Sequence, residues 1–461
     1  MTTPARFALA HIAGRLAGAA SRRLGLGGGT VIAGVVAQAI EPRVRERAFA
    51  APGMPLIAVT GSNGKTTTAR LAASALRSAG RRVAINSAGS NMIQGISALA
   101  LDAVDPLGRP RVNSIVAEVD EGALLAIVDE LRPTAIVVTN IVRDQLDRFG
   151  ELYATAAALE RAARSQKECT LVLCADDPLV AGLAQDHPRR RYAGLSLPSS
   201  HDRITSAADS IRCPACRTPL EYGAVYLGHM GDWRCPGCGL ERPRPDVAVT
   251  GLVFEEEGML ITFRLTAGRE HQARVPQRGI HVAYDAVLAL TAVVAMGVDP
   301  AVAVRGFEAA TPAWGRLERL DADGRTVLLG LAKNAMSYRT VVQELDRHWV
   351  DYDLLIAHAS SVVDGEDFGW LWDVEYERLT PRSRPTTVSG DRAGEITNRL
   401  AYAGWDMSLV NVVPKLEPAF SGALAATPVG GRLVVIAGYS PLRFLVEHAR
   451  RHGWTSHFWE H

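Results

Sequence analysis

The sequence predicts an α/β chain with a central parallel sheet wound by helices, a small cysteine-rich insertion, and a second α/β domain at the C-terminal end. Three observations carry this. From Pro55 onward, short apolar runs alternate with helical stretches, the pattern of a parallel sheet with crossover helices. The rhythm breaks near 210–243, where two Cys-x-x-Cys pairs lie between polar and proline-rich segments. It breaks again at "TPAWGRLERL" and then resumes to the C-terminus. The expected division is therefore a helical segment over 1–50, a central domain over 51–312 and a C-terminal α/β domain over 313–461.

The first segment, "FALAHIAGRLAGAASRRLGLGGG", is alanine-rich, with arginines interspersed and a glycine-rich turn behind it. It reads as an amphipathic helix that either packs on the next domain or lies against a membrane surface. No run of eighteen apolar residues exists and the N-terminus has no clear signal-peptide layout, so no membrane span is expected. "PLIAVT" is an apolar strand, and "TTARLAASALRSAG" is a helix closed by a glycine. "RVAIN", "SIVAEV", "TAIVVTN" and "TLVLC" continue the sheet. After the insertion, "VAVTGLVFEEEGMLITFRL" reads as a hairpin and "YDAVLALTAVVAMG" as an apolar helix. In the last domain "TVLLGLA", "DLLIAHA", "TTVSG", "SLVNVV" and "RLVVIAGY" are the strands. The net charge of +1 in 461 residues argues against a basic nucleic-acid surface.

Chemistry concentrates where the first strand ends. In "VTGSNGKTTTARL", Gly61, Asn63 and Gly64 form a turn whose backbone N–H groups can approach phosphate oxygens at a helix N-terminus. Lys65 is placed to reach the β- and γ-phosphates of ATP, with Thr66 on Mg2+ and Thr67 behind it. Five residues before Gly64, where the longer phosphate loop has glycine, this chain has Val59. "IVAEVDEG" ends another strand with Glu118, Asp120 and Glu121. An acid at a strand end facing a phosphate loop is a natural Mg2+ ligand, and Glu118 is the candidate. "TNIVRDQLDRFGE" puts Asn140, Arg143, Asp144 and Asp147 at a strand C-terminus, the usual ligand edge of such sheets. Helix capping explains Asp144 or Asp147 equally well.

Of the six cysteines, Cys213, Cys216, Cys235 and Cys238 form two pairs eighteen residues apart. That spacing matches a four-thiolate zinc site, closed and therefore structural. Two disulfides or a redox pair is the alternative. The loop between the pairs is mixed in charge, which speaks against nucleic-acid binding. Cys169 and Cys174 flank an apolar strand, where a small apolar role is expected.

"TGSNGKTTT", "EVDEG", "TNIVRDQLDRFGE", "CADDP" and "GRLER" together resemble the Mur ligase superfamily, whose phosphate loop has the shortened form without the early glycine. "RDQLDRFGE", the inserted cysteines and "DGEDFGWLWDVEYE" resemble its MurT family, over roughly residues 10–455. The resemblance implies a Mur ligase-type fold and an ATP- and Mg2+-dependent amide ligase. Its acceptor would be the α-carboxylate of D-isoglutamate in lipid II or a related peptidoglycan precursor. It also implies a heterodimer with a GatD-type glutaminase, and a cytoplasmic location near the inner face of the membrane. By similarity, Glu118 sits on Mg2+, while Asp285, Arg316, Lys333 and Asn334 belong to the nucleotide site, the last three across the interdomain cleft. Asp367 completes the partner's Cys-His pair, or else caps the helix that follows. Trp370 and Trp372 are interface anchors or core. The chain departs from the family pattern at "KNAMSY", "HVAYDA", "CADDP" and "HASSVVDG". Two other readings remain open at this point: a ligase of the same superfamily acting on another carboxylate, and a nucleotide-binding zinc scaffold without turnover.

Overall fold

The structure, a computed structural model, describes residues 3–24, 28–86, 90–143, 152–205, 208–255, 258–311, 316–348, 351–361, 364–382 and 384–455. Two compact units account for them. One holds the described residues up to Val142 and from Leu152 to Thr311; the second holds Arg143 and the described residues from Arg316 onward.

The first unit starts with three helices, α1 (Thr3–Arg23), α2 (Thr30–Ile40) and α3 (Val44–Phe49). Then β1 (Leu56–Thr60) leads into α4 (Lys65–Ser78). β2 (Val83–Ile85), α5 (Ile93–Ala103), β3 (Ser114–Glu118), α6 (Glu121–Leu131), β4 (Ala135–Val138), α7 (Leu152–Ser165), β5 (Thr170–Cys174), α8 (Pro178–Ala181) and β6 (Arg190–Leu195) follow. The cysteine-rich hairpin supplies β7 (Glu221–Leu227) and β8 (Met230–Arg234). β9 (Val247–Glu255), β10 (Gly258–Leu265), β11 (Glu270–Val275), α9 (Ile280–Ala295) and α10 (Pro300–Glu308) complete the unit.

Nine strands form one sheet in the order β11-β10-β9-β6-β5-β4-β1-β3-β2. Pairing is parallel from β2 to β9 and antiparallel through the β9–β10–β11 meander. β1, β3 and β4 are buried at every position, which is why their sequences are unbroken apolar runs rather than alternating ones. The chain leaves β1 for the β2 edge, returns through β3, and then crosses to β4 on the other side of β1. The C-terminal end of β1 therefore lies at the reversal of strand order, where open α/β sheets bind ligands. β6 and β11 are not legible in the sequence, because "RRYAGL" and "EHQARV" are too polar to read as buried strands.

The second unit contains β12 (Arg316–Ala322), β13 (Arg325–Leu331), α11 (Ala335–His348), β14 (Asp353–Ala357), β15 (Thr386–Ser389), α12 (Ala393–Tyr402), β16 (Val410–Val412), α13 (Leu416–Ala426), β17 (Arg432–Ala437) and α14 (Tyr439–Arg451). Its sheet order is β12-β13-β17-β14-β15-β16, parallel except for β12. Alternate residues feed two cores. Leu328, Ile356 and Val434 join Tyr338 and Tyr376 on one face; Leu329, Leu355 and Val435 join Phe420 and Leu442 on the other.

Candidate functional site

The turn after β1 is short because the strand runs on into it. Val59 is fully buried and paired with Glu118 of β3 and Val137 of β4, so the loop spans only 61–64. Gly61 and Gly64 have φ of 118° and 86°, conformations that side-chain-bearing residues rarely adopt. A Cβ on Gly61 would lie 2.3 Å from Thr139 Oγ1, and one on Gly64 would lie 2.1 Å from Asp285 Oδ1. The loop is held from the β4 side. Asn140 Oδ1 accepts from Asn63 N (3.0 Å), Asn140 Nδ2 donates to Asn63 O (3.0 Å), and Thr139 Oγ1 donates to Asn63 O (2.7 Å). Asn140 therefore shapes the phosphate loop from the neighbouring strand.

Lys65 begins α4 and is buried. Its Nζ donates to Glu121 Oε2 at 2.8 Å and to the carbonyls of Gly61 (2.5 Å) and Ser62 (3.2 Å). Burial alone would depress its pKa, yet Glu121, Asp120 and Glu118 together raise it above the ordinary lysine value, so Lys65 is a fixed cation. Glu118 is buried and accepts from Asn91 Nδ2 at 3.3 Å, while Asn86 hydrogen-bonds both its N–H and its carbonyl. Asp120 caps α6 through Gly122 N. Thr66 is half-buried and Thr67 buried on the first turn of α4. Asp285, on α9, accepts from Thr68 Oγ1 at 3.3 Å. One cluster thus gathers the predicted Gly61, Asn63, Gly64, Lys65, Thr66, Thr67, Glu118 and Asp285. Sequence reasoning gave Glu121 no role, although a strand-end acid three residues past Glu118 was the signal.

The pair Asp176–Asp177 was also missed as a support. Asp177 caps α8 through Leu179 N and Val180 N, and its other oxygen accepts from Ile141 N at 2.9 Å. Asp176 is fully buried. It accepts from Arg242 Nε (2.7 Å), Leu195 N (2.9 Å) and Tyr284 OH (2.8 Å). Burial raises its pKa despite Arg242. Tyr284 precedes Asp285, so Asp176 fixes the helix that faces Gly64.

The cysteine hairpin packs on the same strand end. Trp233 Nε1 donates to Ala175 O (3.1 Å), and Gly231 N donates to Asp176 O (3.0 Å). The sulfurs of Cys213, Cys216, Cys235 and Cys238 all lie within 4.8 Å of one another, and no two are bonded. The closest pairs are 3.4 Å and 3.6 Å. A tetrahedral site with Zn–S of about 2.3 Å has edges of about 3.8 Å, so the four thiols fit zinc. Turn N–H groups return to the first cysteine of each pair, Arg217 N to Cys213 O and Gly239 N to Cys235 O.

In the second unit, Asn334 caps α11. Its Oδ1 accepts from Ser337 N (2.8 Å), and Ser337 Oγ accepts from the N–H groups of Lys333 and Asn334. The serine in "KNAMSY" thus builds this turn, with Lys333 half-buried beside it. Arg316 enters at the start of β12; its side chain, like Asp144, Gln145 and Asp147, lies outside the described residues. Asp367 is exposed, and its Oδ1 accepts from Gly369 N at 2.8 Å. This bond ties a turn just ahead of the short 3-10 helix Gly369–Asp373, whose N-cap position is Phe368 and has no side-chain cap. Trp370 packs among Tyr338, His358 and Phe368, whereas Trp372 is 52% exposed against Tyr402. Asp364 lies deeper, accepting from Ser440 N and from Ser361 Oγ.

No cysteine of the chain suits nucleophilic catalysis outside the four-sulfur cluster. Burial pushes the Cys169 thiol up to about 12 and the Cys174 thiol well above its ordinary value, so both stay protonated.

Comparison with known proteins agrees with this layout. The Mur ligase middle domain family model matches residues 59–211, and the MurT ligase C-terminal model matches 331–442. The chain is 30% identical to the MurT subunit of lipid II isoglutaminyl synthase (glutamine-hydrolyzing) from Streptococcus pneumoniae, covering 85% of this chain and 86% of that one. It is 27% identical to the corresponding subunit from Staphylococcus aureus, over 96% and 97% of the two chains. In fold it is similar to a type C pseudomurein peptide ligase from Methanothermus fervidus, with a TM-score of 0.67 at 20% identity over 87% of this chain and 79% of the other. It is also similar in fold to a MurF ligase from Thermotoga maritima solved with ADP, with a TM-score of 0.61 at 14% identity over 87% and 80%.

Proposed function

The chain belongs to the MurT family of Mur-type ligases, and from that premise we propose that it is the ATP-dependent ligase subunit of a lipid II isoglutaminyl synthase. Its acceptor is the α-carboxylate of D-isoglutamate in the stem peptide. The observation that carries the reading is the sealed Lys65 cation beside Glu118, Asp120 and Glu121 at the reversal of strand order.

A carboxylate is a poor electrophile. Its oxygen attacks the γ-phosphorus of ATP, the bond to the bridging oxygen breaks, and ADP leaves. Ammonia then attacks the acyl carbon, the carbon–oxygen bond to phosphate breaks, and the amide forms with loss of a proton. Lys65 leaves Glu121 for the β/γ-phosphates when nucleotide arrives, while the loop N–H groups from Gly61 to Thr66 fix their oxygens. Glu118 and Thr66 would hold Mg2+, which would neutralise phosphate charge there. Lys333, Asn334 and Arg316 are assigned a nucleotide-binding role on the family resemblance alone. Zinc on Cys213, Cys216, Cys235 and Cys238 is structural, because four thiolates leave no open position.

Ammonia comes from a GatD-type glutaminase, since this chain supplies no thiolate of its own for that step. The free oxygen of Asp367 orients the partner's histidine. ATP supply puts the reaction on the cytoplasmic side of the membrane; no helix among the described residues is long and apolar enough to cross it. The test is reconstitution with a GatD-type partner, ATP, lipid II and glutamine, followed by mass spectrometry of the stem peptide. Amidation at the isoglutamate α-carboxyl is the expected product. Turnover of ATP with the carboxylate unchanged, or amidation elsewhere, would refute the assignment.

A further inference from the structure

The two N-terminal helices carry a surface that the ligase chemistry leaves unexplained. α1 packs on α2 through small residues. A Cβ on Gly14 would lie 2.7 Å from Ala33 O, and one on Gly18 would lie 2.9 Å from Gly29 O. Backbones this close use up the inner faces. At about 100° per residue, the buried Phe7, Ala10, His11, Gly14 and Gly18 fall on one side of α1, and Ala5, Leu9, Ile12, Leu16 and Ala20 fall opposite, within an arc of about 80°. Leu9, Ile12 and Leu16 are 46%, 48% and 65% exposed. Val31, Ile32 and Val35 on α2 are exposed as well. Neither helix therefore turns a polar face outward.

Charge identifies what covers this surface. Residues 1–40 contain Arg6, Arg15, Arg22 and Arg23 and no acidic residue. Asp102 of α5 offsets Arg15 at 2.5 Å. Arg6 and Arg15 lie roughly a quarter turn to either side of the apolar stripe, and Arg23 falls on it at the end of the helix; Arg6 Nε also donates to Ile40 O at 2.5 Å. Long side chains there can lay their stems along the apolar edge and carry their charge to headgroups. A second copy of the same face would oppose arginine to arginine, whereas an anionic bilayer meets both the apolar stripe and the cations.

We infer that the α1–α2 hairpin docks in the interface of an anionic lipid bilayer, without crossing it. Apolar insertion and basic attraction are the two signals that reversible anchoring needs. The inference goes beyond the proposed reaction and does not rest on it.

The test is cosedimentation of the full chain with vesicles of phosphatidylglycerol and phosphatidylcholine, and with vesicles of phosphatidylcholine alone. Binding to the anionic vesicles is expected, weakening as salt screens it. Leu16→Asp or Ile12→Asp should weaken it about tenfold or more, and Arg23→Glu about fivefold. These residues face solvent, so melting temperature and ATP turnover should not change. Should an aspartate variant fold poorly, Arg6→Glu with Arg23→Glu reads the same surface through charge alone. Wild-type protein left in the supernatant with anionic vesicles would overturn the inference. So would variants that bind as wild type does, or a Leu16→Asp change that only dissolves a self-associated species. Loss of vesicle binding on adding the glutaminase partner would assign the surface to that protein instead.

Discussion

At the carboxyl edge of the first sheet, Lys65 is sealed among Glu118, Asp120 and Glu121. At the same edge of the second sheet, His358 is sealed among Tyr338, Phe368 and Trp370. Both groups are buried, but their surroundings act in opposite senses. Carboxylates outweigh desolvation around Lys65, so the charge stays. Nothing outweighs it around His358, whose pKa falls to about 3, so that imidazole is neutral. The first edge holds a buried cation among carboxylates. The second keeps its buried imidazole neutral and carries Asp367 on an exposed turn. One sheet architecture thus serves two electrostatic purposes, decided by which residues follow the strands.

The largest effect should come from removing the stored cation. Lys65→Ala should lower ATP turnover by about 10³-fold or more. It should also lower the melting temperature, because Glu121 is left buried without its partner. Adding Glu121→Gln should restore the melting temperature and leave turnover lost. A melting temperature that stays low in the double variant would mean that the cluster is not held by this pair.

Asp367→Asn tests the exposed charge of the second edge. Glutamine-driven amidation should fall by about 10²-fold or more, while amidation from ammonium chloride survives. Equal activity from both ammonia sources would reduce Asp367 to the turn bond it makes with Gly369, a role asparagine fills.

Purified protein should carry about one zinc per chain by elemental analysis, and Cys235→Ser should abolish that content and lower the melting temperature of the first unit. Metal-free protein with an unchanged melting temperature would show that the thiols need no ion.

The smallest effect is the titration of His358. Its folded pKa lies below the unfolded value, so the unfolded chain binds the extra proton first. Stability is complete above about pH 6.5 and declines as pH falls toward about 3. Replacing His358 with Phe should flatten that part of the stability profile, measured by urea unfolding. An unchanged slope would place the imidazole in contact with water.

The comparison also separates what the sequence tells from what it hides. "PLIAVTGSNGKTTT" is legible because strand, glycine turn and helix are contiguous, and each demands particular residue types. The four cysteines are legible for the same reason. The polar strands β6 and β11 are not, because "RRYAGL" and "EHQARV" carry charged residues where a buried strand carries apolar ones. Asp176 and Asp177 were visible as a motif but silent about role: their partners Arg242, Tyr284 and Ile141 are distant in sequence. His358 reads as an ordinary strand-end residue until its aromatic neighbours are known.

Asp176 has a further consequence. It joins Arg242, just beyond the second cysteine pair, to Tyr284, the neighbour of Asp285. These three residues are energetically coupled: a deletion of the hairpin that took Arg242 with it would leave the Asp176 carboxylate buried without its cation, and the penalty would fall on the helix that carries Tyr284 and Asp285.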